Sequence, residues 1–490
     1  MKIKAQIKTL LLAALFCAWT GAAAQTGPAM SSSAGNGTGS ETAVPSLSTQ
    51  QTISQNPFLG SAPPGHIQPG VLPLSLTDAI QRGLKYNLGI LLSDQATQQA
   101  RGARIHALSK LLPQVSAGAS ESSLQINLKA YGFPGLPGQS PIVGPFGVFD
   151  VRGYVDQPIL NLEDLHKERA ESDNVKAARY TYQNARDLVV LVSANLYLQA
   201  IAGSSRVDAA KAEVNTSQAV YDRAVDLKKA GMVPGIDVLR SQVELQGQQQ
   251  RLIYLQNEFQ TEKLDLARAI GMPMAQQFRL TDPVPYTPPP PITLNQALTH
   301  ALAARADYKS LQAQVHAAEL LKKAARSEAL PTLNFHADYG DIGPSPGESH
   351  GTYTVAASVK VPLFQGGKVR GDVMQADALL KQRQSELQDL QNKIEYQVRT
   401  SFLDLKSSGN QVHVARSTLD LAHQQLAQAR DRFSAGVVNS LEVVQAQEAV
   451  ATADENYISS LYRYNVAKAS LARALGLAEE AFKQMTGGSK

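Results

Sequence analysis

Two apolar spacings divide this chain into elements. The first is a strict seven-residue repeat. Leu405, Val412, Leu419, Leu426 and Phe433 stand seven apart, with Ala415, Ala422 and Ala429 three residues further on. After a short break, Val443, Val450, Tyr457, Tyr464 and Leu471 resume the repeat, with Ala446, Ala453, Ser460, Ala467 and Ala474 three on. Earlier, Val238, Leu245, Leu252, Phe259 and Leu266 keep the same register. Sustained heptads predict coiled-coil helices, and large residues alternating with Ala or Ser let two backbones approach closely. The runs from about Glu163 to Lys229 and from Lys368 to Ala435 contain no proline, so each predicts a helix of roughly 100 Å.

The second spacing is two. Leu333, Phe335, Ala337 and Tyr339 alternate with polar residues, as do Tyr353, Val355, Ala357, Val359 and Val361. Upstream, Leu124, Ile126 and Leu128 alternate with Gln125, Asn127 and Lys129, and Phe149, Val151 and Val155 with Asp150, Arg152 and Asp156. These segments predict strands, joined by Gly- and Pro-rich turns at Gly132–Gly138 and Gly340–Gly351. Each is about long enough to cross a bilayer as a tilted strand. Half-buried soluble hairpins fit the same alternation. Four strands cannot close a barrel, and an open edge in lipid leaves backbone groups unpaired at several kcal/mol each. If the strands span a membrane, several chains must share one barrel.

The order of elements repeats. Leu76-Thr77-Asp78-Ala79-Ile80 matches Leu294-Asn295-Gln296-Ala297-Leu298, and the runs they open end at Leu112-Pro113 and Leu330-Pro331 with the same spacing. Leu266-Ala267-Arg268-Ala269-Ile270-Gly271 matches Leu471-Ala472-Arg473-Ala474-Leu475-Gly476. Between them, each half holds a sharp break in its long helical run: Lys228 to Leu239 in the first, Arg432 to Val444 in the second. Gly231 and Gly436 suit a left-handed C-terminal cap, and Asn439 with Glu442 reads as a capping box for the next helix. Each half therefore reads helix, strand hairpin, very long helix, tip, helix. The expected divisions are a signal peptide at 1–24, a disordered Gly/Ser/Pro-rich arm at 25–72, a first repeat at 73–282 with its hairpin at 114–157, a Pro-rich linker at 283–293, a second repeat at 294–478 with its hairpin at 332–361, and a tail at 479–490.

Composition narrows the compartment. Lys2, Lys4 and Lys8 precede an apolar run from Leu10 to Ala18 and Ala22-Ala23-Ala24, the pattern of a secretory signal cleaved after Ala24. The one cysteine, Cys17, lies inside it, and Phe16 stands where a lipoprotein motif wants a small residue. Of the formal charge of +4, three units belong to those lysines, leaving no basic surface for nucleic acid. Nothing later in the chain has the 18 consecutive apolar residues of a spanning helix.

Catalytic patterns are missing. Gly366-Gly367-Lys368 lacks the leading glycine and trailing hydroxyl of a phosphate loop, and reads as a turn into a helix. His316 and Glu319 share a helix face without a second pair to make a metal site. The expectation is no enzyme, no cofactor and no metal.

At this point the chain resembles the TolC-like outer-membrane efflux protein family from Leu74 to Leu477. The specific pieces are Pro362-Leu363-Phe364-Gln365-Gly366-Gly367 at the strand-to-helix joint and the tip from Arg432 to Val444. The resemblance implies a mainly α protein with a small β part. Duplicated long antiparallel coiled-coil helices would form a trimeric α-barrel, continued by a shared 12-stranded transmembrane β-barrel with four strands per chain. It implies a homotrimer in outer-membrane lipid with the helices in the periplasm, serving as the passive exit duct of a tripartite efflux or type I secretion system beside a periplasmic adaptor and an inner-membrane transporter. By the same resemblance, Asp237 and Glu442 match acidic positions around the periplasmic aperture. The tips Gly231, Met232, Val233, Pro234 and Gly436, Val437, Val438, Asn439 would face the adaptor, and Leu333, Phe335, Tyr339, Tyr353, Val355 and Val359 would face lipid. Acids in a helix's first turn also favour the macrodipole, so Asp237 and Glu442 have a purely structural reading too. Phe433, Val438 and Gln445 depart from the family's linking tyrosine, its arginine partner and a second acid, so the family's polar lock is not carried over. The competing reading is a secreted periplasmic coiled-coil scaffold or adaptor that never enters lipid.

Overall fold

The computed structural model describes residues 56–479, apart from residues 64, 66, 133–139, 283–285, 287, 289–291, 436 and 439. The expected signal peptide and most of the expected arm, linker and tail therefore lie outside the described residues, as do the tip residues Gly436 and Asn439. The helices are α1 (Leu76–Tyr86), α2 (Leu88–Ser109), α3 (Leu162–Lys229), α4 (Gly235–Ile270), α5 (Leu294–Ala304), α6 (Ala306–Ser327), α7 (Lys368–Ser434) and α8 (Ser440–Ala474). The strands are β1 (Leu72–Leu74), β2 (Gln114–Asn127), β3 (Ile142–Leu160), β4 (Phe278–Leu280), β5 (Thr332–Gly343) and β6 (His350–Lys360).

The duplication is visible in the helix starts. Ser75 with Asp78 caps α1, and Thr293 with Gln296 caps α5, each as a reciprocal capping box that satisfies orphan backbone donors. Where the sequence suggested one helix running to each proline, there are two. α1 gives way to α2 at Asn87 (φ −64°, ψ 133°), and α5 to α6 at Arg305 (φ −60°, ψ 125°). Neither break falls on a Gly or Pro. Tertiary bonds hold the first one open: the Asn87 amide donates to Phe58 O at 2.7 Å and Ala269 O at 3.0 Å. A glycine from the far end of each half sits against the break. A Cβ on Gly271 would fall 2.3 Å from Tyr86 Cβ, and one on Gly476 would fall 3.0 Å from Arg305 N.

Four strands form one antiparallel sheet in the order β2-β3-β5-β6. Each strand is joined in sequence to its own helix: β2 follows α2, β3 precedes α3, β5 follows α6 and β6 precedes α7. Those helices pack in the same order, α2 on α3, α3 on α6, α6 on α7. Nearer the tips, α4 packs on α3, α3 on α8 and α8 on α7. The wall stays four elements wide, with α4 and α7 at its sides.

Separate cores hold the wall together. Leu405, Val412, Tyr464 and Leu471 pack between α7 and α8 at the predicted heptad positions, in one core with Ile394 and Val398 of α7 and Ala297 and Ala301 of α5. Leu74, Tyr197, Ile201, Leu266, Ile270 and Phe278 pack in the first half, where the Tyr197 hydroxyl lies 2.9 Å from both Leu74 O and Asp282 Oδ2 and shares its one proton between them. α3 holds an apolar window long enough for a membrane span, but 56% of that window is buried against the chain itself. A short parallel pairing of β1 with β4, absent from the sequence reading, ties the start of the first half to its end. The described residues of the 56–72 stretch, placed in the disordered arm by composition, dock on this core: Gln68 N–H donates to Gln276 at 2.8 Å, and Ser61 bridges Asn87.

Candidate channel wall and helix-hairpin tips

The sheet register sorts its side chains. Leu333 pairs with Val359, Ala337 with Val355 and Tyr339 with Tyr353, and directly opposed residues share a face. Phe335 lies on the same face by its alternation with Ala337, so all six expected lipid-facing residues stand together. Tyr353 is 76% exposed and Val355 64%. Val151 and Val155 of β3 join them, followed by Val115, Ala117 and Ala119 of β2. The β2 alternation begins at Val115, not at Leu124. Leu124 pairs with Phe146 on the opposite face, and a bulge follows before Ile126. Small residues from Ser116 to Ser120 concealed that start.

The opposite face is polar and charged. The Arg152 guanidinium donates to Asp338, to Asp150 at 3.3 Å and to Thr352 Oγ1 at 3.1 Å. His336 Nδ1 lies 2.7 Å from Asp156, with its Nε2 3.5 Å from Asp338. At the helix end of the sheet, Leu363 and Phe364 are almost fully exposed, and Lys368 pairs with Glu328. Both long edges, β2 and β6, have no strand partner on their outer side among the described residues.

The two tips close alike. Met232 N–H donates to Leu227 O at 2.9 Å, and Val437 N–H to Arg432 O at 3.0 Å, the six-to-one bond of a Schellman turn. Gly231 takes φ +74°, as its place in that turn requires. Met232, Pro234 and Val437 are exposed, whereas Val233 and Val438 rest on a core that includes Leu227, Phe433 and Val443. Asp237 and Glu442 part company here. Asp237 is 3% exposed, and its carboxylate accepts the hydroxyl of Ser440, itself fully buried, at 2.7 Å. Glu442 is half exposed and pairs with Arg432 at 2.5 Å.

Further polar links join the two helical hairpins above the tips. Gln447 donates to Ser217 at 3.2 Å and Arg206 to Glu455 at 3.0 Å, and Arg223 reaches Ser434 O at 3.4 Å. The sequence reading missed all of them, because each pairs residues from different halves. Beside them lies a cavity of about 130 Å³ lined by Glu213, Gln248, Gln447 and Asp454. Burial pushes both carboxyls above their ordinary values. Among the described residues no three His, Cys, Asp or Glu side chains group as a metal centre. His316, one half of the weak metal candidate, pairs with Asp173 on α3.

The family model described as "Outer membrane efflux protein" matches residues 297–477. The chain also superposes on the Campylobacter jejuni CmeC outer membrane channel with a TM-score of 0.70 at 16% identity, covering 85% of this chain and 90% of that one. Over residues 297–477 it is similar to the outer membrane efflux protein family. The Vibrio cholerae outer membrane protein VceC is similar in fold, with a TM-score of 0.71 at 16% identity over 82% of this chain and 96% of that one. Among sequence relatives, the alkaline protease secretion protein AprF of Pseudomonas aeruginosa is 23% identical, covering 67% of this chain and 69% of its own. The pyoverdine export outer membrane protein OpmQ of Pseudomonas putida is 22% identical, covering 77% and 81%. Outer membrane efflux proteins are channels, not enzymes, and this one is an outer-membrane protein whose helices extend into the periplasm. In that frame the four-stranded sheet is the membrane end of the wall, and the tips lie at its far end.

Proposed function

We propose that this chain forms a homotrimer whose sheets close into one 12-stranded barrel in the outer membrane and whose helices continue it as a periplasmic duct. The duct would serve tripartite efflux or type I secretion, with a periplasmic adaptor and an inner-membrane transporter supplying contact and energy; the chain itself would catalyse nothing. The observation that carries this reading is the sheet: two long unpartnered edges, one face that is apolar except for Glu121 and Asp341 toward its loop end, and one charged face. Pairing β6 of one copy with β2 of the next removes every edge, which lipid demands. The flanking helices agree with that closure. α4 exposes Leu239, Val243, Ile253 and Tyr254, and α7 exposes Tyr396, Leu403, Val414 and Leu421. These stripes run down the two sides of the wall, where neighbouring copies would meet. A scaffold outside lipid leaves the apolar sheet face without a purpose.

At the tips, the reading assigns the buried Asp237–Ser440 bond as the link that keeps the two hairpins together in a closed aperture, in place of the missing tyrosine and arginine partners. Glu442 would then be the acid that rings the opening. Met232, Val233, Pro234, Val437 and Val438, with Gly231, Gly436 and Asn439, would meet the adaptor.

The test is the mass of the detergent-extracted particle from the outer-membrane fraction, with an unboiled gel beside it. Three protein masses, lost when Phe335, Tyr353 and Val355 are all changed to Asp, are expected. A water-soluble monomer or dimer, or a triple variant that still inserts, would overturn the barrel.

A further inference from the structure

Where the two helical hairpins meet above the tips, four helices enclose the cavity of about 130 Å³. α3 lines it with Glu213 and Ser217, α4 with Gln248, α7 with Arg430, and α8 with Gln447 and Asp454. Three acceptor atoms in this lining are sealed from water with no hydrogen-bond donor among the described residues: Glu213 Oε2, Gln248 Oε1 and Gln447 Oε1. Gln447 is the most deeply set. It is 5% exposed, its Nε2 is spent on Ser217 at 3.2 Å, and its Oε1 is left facing the cavity it lines. The amide of Gln248 is fixed in the same sense. Its Nε2 donates to Glu244 Oε1 at 2.8 Å, and turning the amide over would set its oxygen against that carboxylate. Acceptors left unpaired away from water favour an occupant that brings positive charge to them.

The surrounding charge points the same way. Asp454 and Glu244 stand near enough to Glu213 to oppose its ionisation. Arg251 approaches the Glu213 carboxylate only to 3.7 Å and keeps 40% of its own side chain exposed. Arg430, half-buried on α7, is the one fixed positive charge in the lining. The donors are hard oxygens: two carboxylates, two amide carbonyls and a hydroxyl. Zinc and copper sites draw on His and Cys, which explains why no such centre is found here. Calcium instead takes carboxylate and amide oxygens at about 2.3–2.6 Å, in a flexible shell of about six to eight that water completes. The cavity has room for about four water-sized occupants, enough for an ion and its remaining waters.

We propose that Glu213, Gln248, Gln447 and Asp454 form a calcium site inside the wall, between the two hairpins. The ion ties α3 and α4 of the first half to α8 of the second, and so adds to the polar links that hold the hairpins together. The site lies within one chain, so it stands whether or not three chains close a barrel. No spacing in the sequence announces it, because its members come from both halves.

The experiment is calorimetric titration of calcium chloride into the full-length, detergent-extracted protein, stripped of divalent ions with EDTA. One ion per chain should bind, and thermal unfolding followed by circular dichroism should move upward with added calcium. Glu213→Gln/Asp454→Asn, which keeps the shapes and removes both charges, should weaken binding at least about tenfold. Gln447→Met, which keeps the volume and loses the acceptor, should weaken it less. Arg430→Gln should tighten it by removing a like charge. Asp208→Asn, at an exposed pair with Lys211 on α3, should leave it unchanged. A wild type with no saturable site would overturn the proposal and leave the cavity to water. Affinity that is the same in the double variant, or sodium that displaces calcium at equal concentration, would overturn it too. Should the double variant fail to fold, Gln447→Met decides, and unchanged affinity there overturns the site.

Discussion

The two tips of this chain share a backbone and differ in what they bury. The same offset that carries Gly231 to Gly436 carries Asp237 to Glu442, Gly235 to Ser440 and Lys228 to Phe433. Yet Asp237 is sealed inside and Glu442 lies half in solvent, while Phe433 is buried and Lys228 exposed. A duplication copies the turn, because the turn is specified locally by glycine and its six-to-one bond. It does not copy the environment, because the hairpins pack against each other and not against copies of themselves. Side chains that face the other hairpin were free to diverge in pairs, and Asp237 with Ser440 is such a pair.

The largest test of this asymmetry is at the buried aromatic. Phe433 shares a core with Leu227, Val443 and Ala446, so Phe433→Ala should cost about 3–5 kcal/mol of local stability. Lys228→Ala, at the matching position, should stay within about 0.5 kcal/mol. Thermal unfolding followed by circular dichroism, with hydrogen exchange of residues 225–240 and 430–445, would check both. Equal losses at the two positions would mean that the tips are interchangeable and that the comparison fails.

The acids come next. Asp237→Ala leaves the buried Ser440 hydroxyl without its acceptor, a loss of about 1–3 kcal/mol. Glu442→Ala breaks an exposed ion pair with Arg432, worth about 0–1 kcal/mol. If Asp237–Ser440 is the link between hairpins, Asp237→Ala and Ser440→Ala should both raise single-channel conductance, and Glu442→Ala should raise it less. A conductance that responds to Glu442 alone would move the link to the exposed pair.

How much of this was open to a reader of the sequence follows from the range of each interaction. The heptads located both coiled coils, and Leu405, Val412, Leu471 and Phe433 are buried as their spacing required. The second hairpin was legible from Phe335, Tyr339, Tyr353 and Val355, because large residues alternate there. The start of β2 at 114 was legible from Pro113, but its register was not, since Ser116 to Ser120 are too small to show an alternation. The breaks at Asn87 and Arg305 were also hidden. Their residues are helix-compatible, and the signal lies in distant partners such as Ala269 O and Gln397. At the tips, the acidic pair could be located, but which acid was buried depended on Ser440, which belongs to the other half.

A buried acid separates the halves once more, and pH makes that difference measurable. Glu262 on α4 matches Ala467 on α8. Its side chain packs over Gly203 of α3, where a Cβ would collide with the carboxylate, and one of its oxygens has no hydrogen-bond partner among the described residues. Burial pushes its pKa up to about 7. Below the ordinary carboxyl range the group is neutral in folded and unfolded chains alike, so it costs little. As pH rises from about 4.5 to 7, the unfolded chain releases the proton first, and the folded state is progressively disfavoured. The penalty is complete about a unit above pH 7 and, for a shift from 4.5 to about 7, should amount to roughly 3 kcal/mol per chain. Wild type should therefore lose unfolding temperature between pH 5.5 and 8 by a component that Glu262→Gln removes, the variant being the more stable of the two at pH 8. Circular dichroism at 222 nm reads this directly. If the two proteins show the same pH slope, Glu262 is solvated in the assembled protein and the first half holds no buried acid that the second half lacks at this position.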